Sequence, residues 1–247
     1  MSWNEAKLCI IIPCYNESRS IPAIIQSLQK FCSGSRFLFV NDASTDHTSA
    51  VLESCSTENI TVITLPTNLG IGGAVQAGLR YAEENGFEYA VKFDGDGQHL
   101  AEEIKDILAP ILADESDLVI GSRFLNPEYG FKSTFMRRLG IKVFRFLNQL
   151  LTGHLITDNT SGFRAYNRHA LEFAARYYPS FDYPEPEEVI LFLRNKYRVK
   201  EVPVAMAERS GGKSSINQIK AVYYMIKVTF SVFMAAMRPK IKGDKSC

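Results

Sequence analysis

The chain has 247 residues, 46% of them hydrophobic and 22% charged, which at about 100–200 residues per domain means one large globular domain or two small ones. Those values exclude intrinsic disorder, collagen-like repeats and a multispanning membrane protein. The 28 lysines and arginines against 27 aspartates and glutamates leave a net charge of +1, which names no partner and gives no ground for nucleic-acid binding.

The apolar run at 8–13 (LCIIIP) reads as a strand buried on both faces. An amphipathic helix follows over 20–31, with Ile21, Ile24, Ile25 and Leu28 at helical spacing and Pro22 in the first turn. A second strand is expected at 36–40 and a helix from Ser44 or Asp46 to about 55. A third strand then lies at 60–65, a helix at 72–85, a fourth strand at 89–93, a helix at 102–112 and a short strand at 117–120. Strands alternating with helices of this length predict βαβ units in a largely parallel sheet with helices on both faces.

The second half reads differently. A helix over 131–151 places Phe135, Leu139, Val143, Phe146, Leu147 and Leu150 on one face. Short strands are expected at 161–166 and 198–204, a helix at 187–197, and a long amphipathic helix over 215–237 before a basic tail. Charge is uneven here: 131–157 holds Lys132, Arg137, Arg138, Lys142 and Arg145 with no acid, and 209–247 holds eight bases against Asp244 alone. The expected organisation is one domain at 1–214, with a nucleotide-type sheet first (1–125) and a second half (126–214) that handles a further ligand, followed by the helix and tail at 215–247. Five cysteines form no CxxC pair, the start of the chain is polar, and 228–237 is shorter than the roughly 20 residues a span needs; together these read as a reducing, cytoplasmic compartment.

Ligands of open α/β sheets bind at the carboxyl ends of the strands. Four strand ends here deliver acidic or glycine-rich loops: Pro13-Cys-Tyr-Asn-Glu17, Asn41-Asp-Ala-Ser-Thr-Asp46, Asn68-Leu-Gly-Ile-Gly-Gly73 and Asp94-Gly-Asp-Gly-Gln-His99. Each alone is a turn with a helix cap; four at one edge in βα register are a ligand site. Asp94 and Asp96 repel each other unless a cation neutralises them, and all-oxygen ligands such as Asp94, Asp96 and Gln98 suit Mg²⁺ or Mn²⁺ on a diphosphate. His99 is expected to bond phosphate or a neighbouring loop. Val75 stands where GxGxxG needs its third glycine, and GxxxxGK[ST] is missing, so neither a Rossmann dehydrogenase nor a P-loop NTPase fits.

Ile12-Pro-Cys-Tyr-Asn-Glu17, Asn41 to Thr48, Asn68-Leu-Gly, Asp94-Gly-Asp96 and Gly121-Ser-Arg123 together resemble glycosyltransferase family 2, the inverting GT-A enzymes. Gln98-His99, Ser161-Gly-Phe-Arg164 and Arg209-Ser-Gly-Gly-Lys213 resemble its branch containing dolichyl-phosphate mannose synthase and bacterial polyprenyl-phosphate glycosyltransferases. The resemblance spans about 8–216 and implies a GT-A fold, with a single mostly parallel sheet. It implies that Pro13, Tyr15, Glu17 and Asp42 contact base and ribose, and that Asp94 sits on the ribose or sugar side. Asp96 and Gln98 then hold the metal, Ser161 to Arg164 wall the acceptor side, and Arg123, Arg138, Arg164, Arg209 and Lys213 grip phosphates.

In family members that glycosylate hydroxyls, an acidic base stands some eighteen residues ahead of a strand proline, and counting back from Pro203 lands on Glu185, with Glu187 beside it. A hydroxyl needs such a base; a phosphate is already an anion and needs only positive charge. The leading expectation is a metal-dependent transferase moving a sugar from a UDP- or GDP-sugar to polyprenyl phosphate, with Asp96 and Arg123 in the catalytic set and the enzyme peripheral on the cytoplasmic face of the membrane. Transfer to a sugar hydroxyl with Glu185 or Glu187 as base is the alternative, and a non-catalytic nucleotide-sugar binding module a lower one. The two amphipathic helices are suited to a membrane surface, with a separate membrane protein or a homodimer as other partners for them.

Overall fold

The computed structural model describes residues 4–55, 57–126, 135–179, 183–207 and 218–239. Its strands are β1 (Leu8–Cys14), β2 (Arg36–Asn41), β3 (Ile60–Thr64), β4 (Tyr89–Lys92), β5 (Leu118–Ser122), β6 (Arg164–Tyr166) and β7 (Val199–Pro203). They form one sheet in the order β3-β2-β1-β4-β6-β5-β7. Every pairing is parallel except the two made by β6, which runs antiparallel between β4 and β5. The mostly parallel sheet agrees with expectation; the reversed strand was not foreseen, because three residues carry no orientation signal.

On one face lie α1 (Ile21–Phe31), α2 (Thr48–Ser54) and α4 (Ile104–Leu112), and on the other α3 (Gly70–Glu84), α5 (Phe135–Thr152), α6 (Arg168–Tyr177), α7 (Glu185–Arg194) and α8 (Gln218–Met237). Strand alternation divides β1 between the two cores: Leu8, Ile10, Ile12 and Cys14 pack on the first face, Cys9 and Ile11 on the second. That double burial is why the run is apolar throughout. α3 lies close on the sheet, since a Cβ on Gly78 would collide with Ile11 and approach Val40 Cγ2 to 3.3 Å.

Helix α6 was not anticipated. Asn167 caps it by accepting the Ala170 N–H at 2.8 Å, and Leu171, Ala174 and Ala175 bury its inner stripe. The 187–197 helix begins two residues earlier, at Glu185, with Pro186 in its first turn. On α5 the inward residues are Phe144, Leu147 and Asn148, whereas Phe146 and Leu150 point to solvent. Val228, Val232 and Ala235 of α8 belong to the same core as α5, α6 and α7. No helix among the described residues is long and apolar enough to cross a membrane.

Candidate active site

Strand order reverses between β1 and β4, so the crevice outside their carboxyl ends is where an open α/β sheet takes its ligand. The loop after β1 is laced to the loop after β2. Asn16, at φ 59°, uses the left-handed conformation that Asn tolerates, and its Oδ1 accepts the N–H groups of Thr45 (2.8 Å) and Asp46 (3.2 Å). The Asn16 and Glu17 N–H groups donate in turn to Ser44 Oγ (3.0 Å) and Thr48 Oγ1 (2.9 Å). Pro13 is buried at the strand end, and Tyr15 stands 47% exposed at the rim. Asp42 is buried, with Oδ1 accepting the Leu69 N–H at 2.7 Å, which ties the third loop into the same group.

The fourth loop packs against the first. A Cβ on Gly95 would stand 2.7 Å from the Pro13 carbonyl oxygen, so only glycine allows this approach. Ser20 Oγ lies 2.6 Å from the Gly95 carbonyl and 2.9 Å from Glu17 Oε2, and its single proton serves one at a time. Asp96 Oδ1 accepts the Gln98 N–H at 3.0 Å, closing a tight turn. His99 is buried, stacked on Phe163 at 4.6 Å, and its Nδ1 accepts the Asp94 N–H at 2.9 Å. That bond assigns the neutral ring's proton to Nε2, 3.5 Å from Asp94 Oδ2. His99 therefore bonds back to Asp94 at the start of its own loop and staples that loop from within, where a bond to phosphate or to a neighbouring loop was expected.

Because β6 is antiparallel, its leading end brings Ser161 to Arg164 to this edge. A Cβ on Gly162 would stand 2.6 Å from Asp94 Oδ2, so glycine leaves the room that the carboxylate occupies. Burial opposes ionisation of Asp94, but the groups around it, His99 first and then Lys92, Arg123 and Arg164, hold its carboxyl below the usual range. Burial pushes the His99 imidazole down against the pull of Asp94 and Asp96.

Beneath these loops lies a buried charge cluster. Lys92 Nζ is 2.5 Å from Glu185 Oε1. Arg164, with no exposed surface, donates to Glu188 Oε2 (2.5 Å), to the Glu185 carbonyl (2.9 Å), to the Ser161 carbonyl (3.0 Å) and to the Asn159 carbonyl (3.2 Å). Glu188 Oε1 also accepts the Tyr166 hydroxyl at 2.9 Å. Arg123 forks onto Asp158 at 2.7 and 2.6 Å, and the Thr157 and Asp158 N–H groups donate to Glu201.

This geometry corrects two expectations. Arg164 cannot grip an acceptor phosphate, because its guanidinium is enclosed and bonded to protein oxygens; it secures the wall on which Ser161 and Gly162 sit. Glu187 is two residues from Glu185, about 200° around the helix at 3.6 residues per turn. It lies on the far side of α7, 3.7 Å from Arg238 at the end of α8. Glu185 does face the cluster, but as the partner of Lys92. Arg209 and Lys213 lie outside the described residues, and Arg138 lies on α5 with its side chain outside them; Ala207, two residues before Arg209, donates to the Gln98 carbonyl at 2.9 Å.

Sequence reasoning missed Lys92, Asp158 and Glu201. A lysine inside the apolar run Tyr89-Ala-Val-Lys-Phe93 is itself a signal, since a cation buried in a central strand demands a partner. That partner stands 93 positions away, beyond any local pattern.

Among the described residues no three His, Cys, Asp or Glu side chains converge on a point that could hold a metal ion. Hard oxygens of Asp94, Asp96 and Gln98 fit Mg²⁺ or Mn²⁺ in the manner of ions held by one or two carboxylates and completed by substrate phosphates.

Residues 9–173 match the model of the family described as glycosyl transferase family 2. The chain is 31% identical over 210 residues, 79% of this chain and 83% of the relative, to a UDP-N-acetylglucosamine–dolichyl-phosphate N-acetylglucosaminyltransferase of Methanococcus voltae. It is 30% identical over 226 residues, 89% of this chain and 84% of the relative, to a polyprenol monophosphomannose synthase of Mycolicibacterium smegmatis. An undecaprenyl-phosphate mannosyltransferase of Micrococcus luteus is 30% identical over 85% of this chain and 88% of its own. In fold, the chain superposes on glucosyl-3-phosphoglycerate synthase from Mycobacterium tuberculosis, a structure holding Mn²⁺, UDP-glucose and phosphoglyceric acid. The TM-score is 0.71 at 16% identity, covering 97% of this chain and 86% of the other.

Proposed function

The chain belongs to glycosyltransferase family 2 and is a glycosyltransferase of GT-A fold, and from that premise we propose that it moves a sugar, with inversion, from a UDP- or GDP-sugar to polyprenyl phosphate at the cytoplasmic face of a membrane. The observation that carries this reading is the Asp94–Gln98 loop packed on the end of β1 at the switch point, in a chain similar over most of its length to transferases named for polyprenyl- and dolichyl-phosphate acceptors. In it, Tyr15 offers an exposed ring to the base and Asp42 accepts from the imide N–H of uracil or guanine. Pro13 and Glu17 shape the nucleoside pocket, and Asp94 faces the ribose or sugar. Asp96 and Gln98, with Asp94, would hold Mg²⁺ or Mn²⁺, which supplies charge stabilisation for the departing diphosphate.

The acceptor phosphate oxygen attacks the anomeric carbon from the side opposite the leaving diphosphate, and being anionic it needs orientation rather than deprotonation. Arg123 is held rigidly by Asp158, which already balances its charge. Net positive charge for the acceptor therefore comes from Arg138, Arg209 and Lys213. The test is a panel of UDP-, GDP- and dTDP-sugars with Mn²⁺ or Mg²⁺ against polyprenyl phosphate, following nucleoside diphosphate release. Turnover with the lipid phosphate is expected, and product formed only on free saccharides overturns the acceptor.

A further inference from the structure

Lys92 and Arg164 are register partners on adjacent strands β4 and β6, so their side chains leave the same face of the sheet. Both are fully buried, and both reach the first turn of α7, where Lys92 meets the Glu185 carboxylate and Arg164 meets Glu188 and the Glu185 carbonyl. Lys92 also stands two residues before Asp94, at the root of the donor loop. We propose that Lys92 is a positioning residue that sets acceptor charge: by neutralising Glu185 it removes an anion from the acceptor side and lets an anionic phosphate enter.

This rests on the phosphate-acceptor reading above and specifies how the site achieves it. Three cations of the cluster are matched one to one by acids: Lys92 by Glu185, Arg164 by Glu188 and Arg123 by Asp158. Asp94 and Glu185 both act on Lys92 and on Arg123, so the donor carboxylate and the α7 carboxylate share one neighbourhood. Take Lys92 away and Glu185 becomes an uncompensated carboxylate beside Asp94. A second anion, the acceptor phosphate, would then be repelled. With Lys92 in place, the Glu185 carboxylate is committed to an ammonium.

The experiment compares wild type, Lys92→Met, Lys92→Arg, Glu185→Gln and the double variant Lys92→Met/Glu185→Gln. A short-chain prenyl phosphate in detergent serves as acceptor, with whichever of UDP-N-acetylglucosamine or GDP-mannose the wild type turns over. Lys92→Met raises the acceptor KM about tenfold or more, while UDP or GDP binding by calorimetry changes little. The double variant restores acceptor KM, because a neutral amide needs no cation, and Lys92→Arg retains most of it. Glu185→Gln shifts acceptor KM downward, because the cation is left in excess, and this arm stands even if Lys92→Met fails to fold. A double variant no better than Lys92→Met, equal losses for donor and acceptor, or a Glu185→Gln kcat about a hundredfold lower at unchanged acceptor KM (the mark of a general base) overturns the proposal. A wild type inactive on every prenyl phosphate fails the acceptor reading itself, before any variant is compared.

Discussion

Asp96 differs from its neighbour Asp94 in what surrounds it. Asp94 stands against Gly162 and His99, near the buried Lys92, Arg123 and Arg164, whereas Asp96 sits in a glycine-flanked turn, with one oxygen accepting the Gln98 N–H. In the proposed function it is the carboxylate that would meet a diphosphate-bound cation from the loop side. Asp96→Ala should cut turnover about a hundredfold or more, the scale of losing one preorganised electrostatic contact. Nucleotide binding measured by calorimetry should lose its dependence on Mn²⁺. Wild-type metal dependence in the variant would mean that the loop has another role. Gly162 tests the neighbouring carboxylate from the opposite side. The added methyl of Gly162→Ala must displace Asp94, so donor KM should rise about tenfold at nearly unchanged Tm, since a one-methyl clash near a positioned group costs rate before it costs fold. An unchanged donor KM would detach Asp94 from the donor.

At the scale of elements, α7 carries three acids in its first turn that do different work. Glu185 and Glu188 share a side and meet Lys92 and Arg164, while Glu187 is turned toward α8. Burial pushes the Glu187 carboxyl up, and the half-exposed Arg238 offsets this only in part. An acid whose folded pKa is raised binds more protons folded than unfolded, so its ionisation costs stability as pH rises above the unfolded value. Glu187→Gln should therefore raise Tm at pH 7 by about 2 °C, and the gain should fade as pH falls through the unfolded carboxyl's ordinary value and be almost gone by about pH 4, as both states take up the proton. A gain that persists at pH 4 would trace to packing instead. These acids also show what the sequence could and could not tell. The strands β1, β2 and β5 were legible because burial on both faces demands continuous apolar runs, the half-exposed β3 because isoleucine, valine and threonine dominate it, and the four loops at the strand ends because glycine, asparagine and aspartate cluster there. The direction of β6 and the division of labour along α7 were not, since both are decided by partners far away in the chain, such as Lys92 and Arg164. Helix α6 did carry a local signal, Asn167 ahead of Leu171, Ala174 and Ala175 at helical spacing, and it went unread.

At the scale of the whole molecule, α5 and α8 leave an outward apolar stripe. Phe146 and Leu150 on α5 are each 64% exposed; on α8, Phe230 is 67% and Met237 78% exposed, with Phe233 and Met234 beside them. Two aromatic rings this exposed are unusual on a helix that already contributes Val228, Val232 and Ala235 to the core. Neither helix contains an acid, and Lys142, Arg145 and Arg238 stand on them or at their ends. Apolar residues in the acyl boundary with bases at the headgroups is how an interfacial helix sits, each base adding about 1 kcal/mol against an anionic leaflet. A polyprenyl phosphate presents only its headgroup at that surface, so an enzyme using it must come to the bilayer. Flotation should show binding to anionic vesicles that weakens as salt rises, by the screening of exposed charges, and far less binding to neutral ones. Phe146→Ser with Phe230→Ser should reduce vesicle binding several-fold while leaving calorimetric nucleotide binding intact, because both side chains are mostly exposed to solvent on α5 and α8. If neither kind of vesicle binds and sedimentation shows a dimer that the same two substitutions dissociate, the stripe is a contact between copies of this chain, and the lipid must be brought to the site by a separate protein.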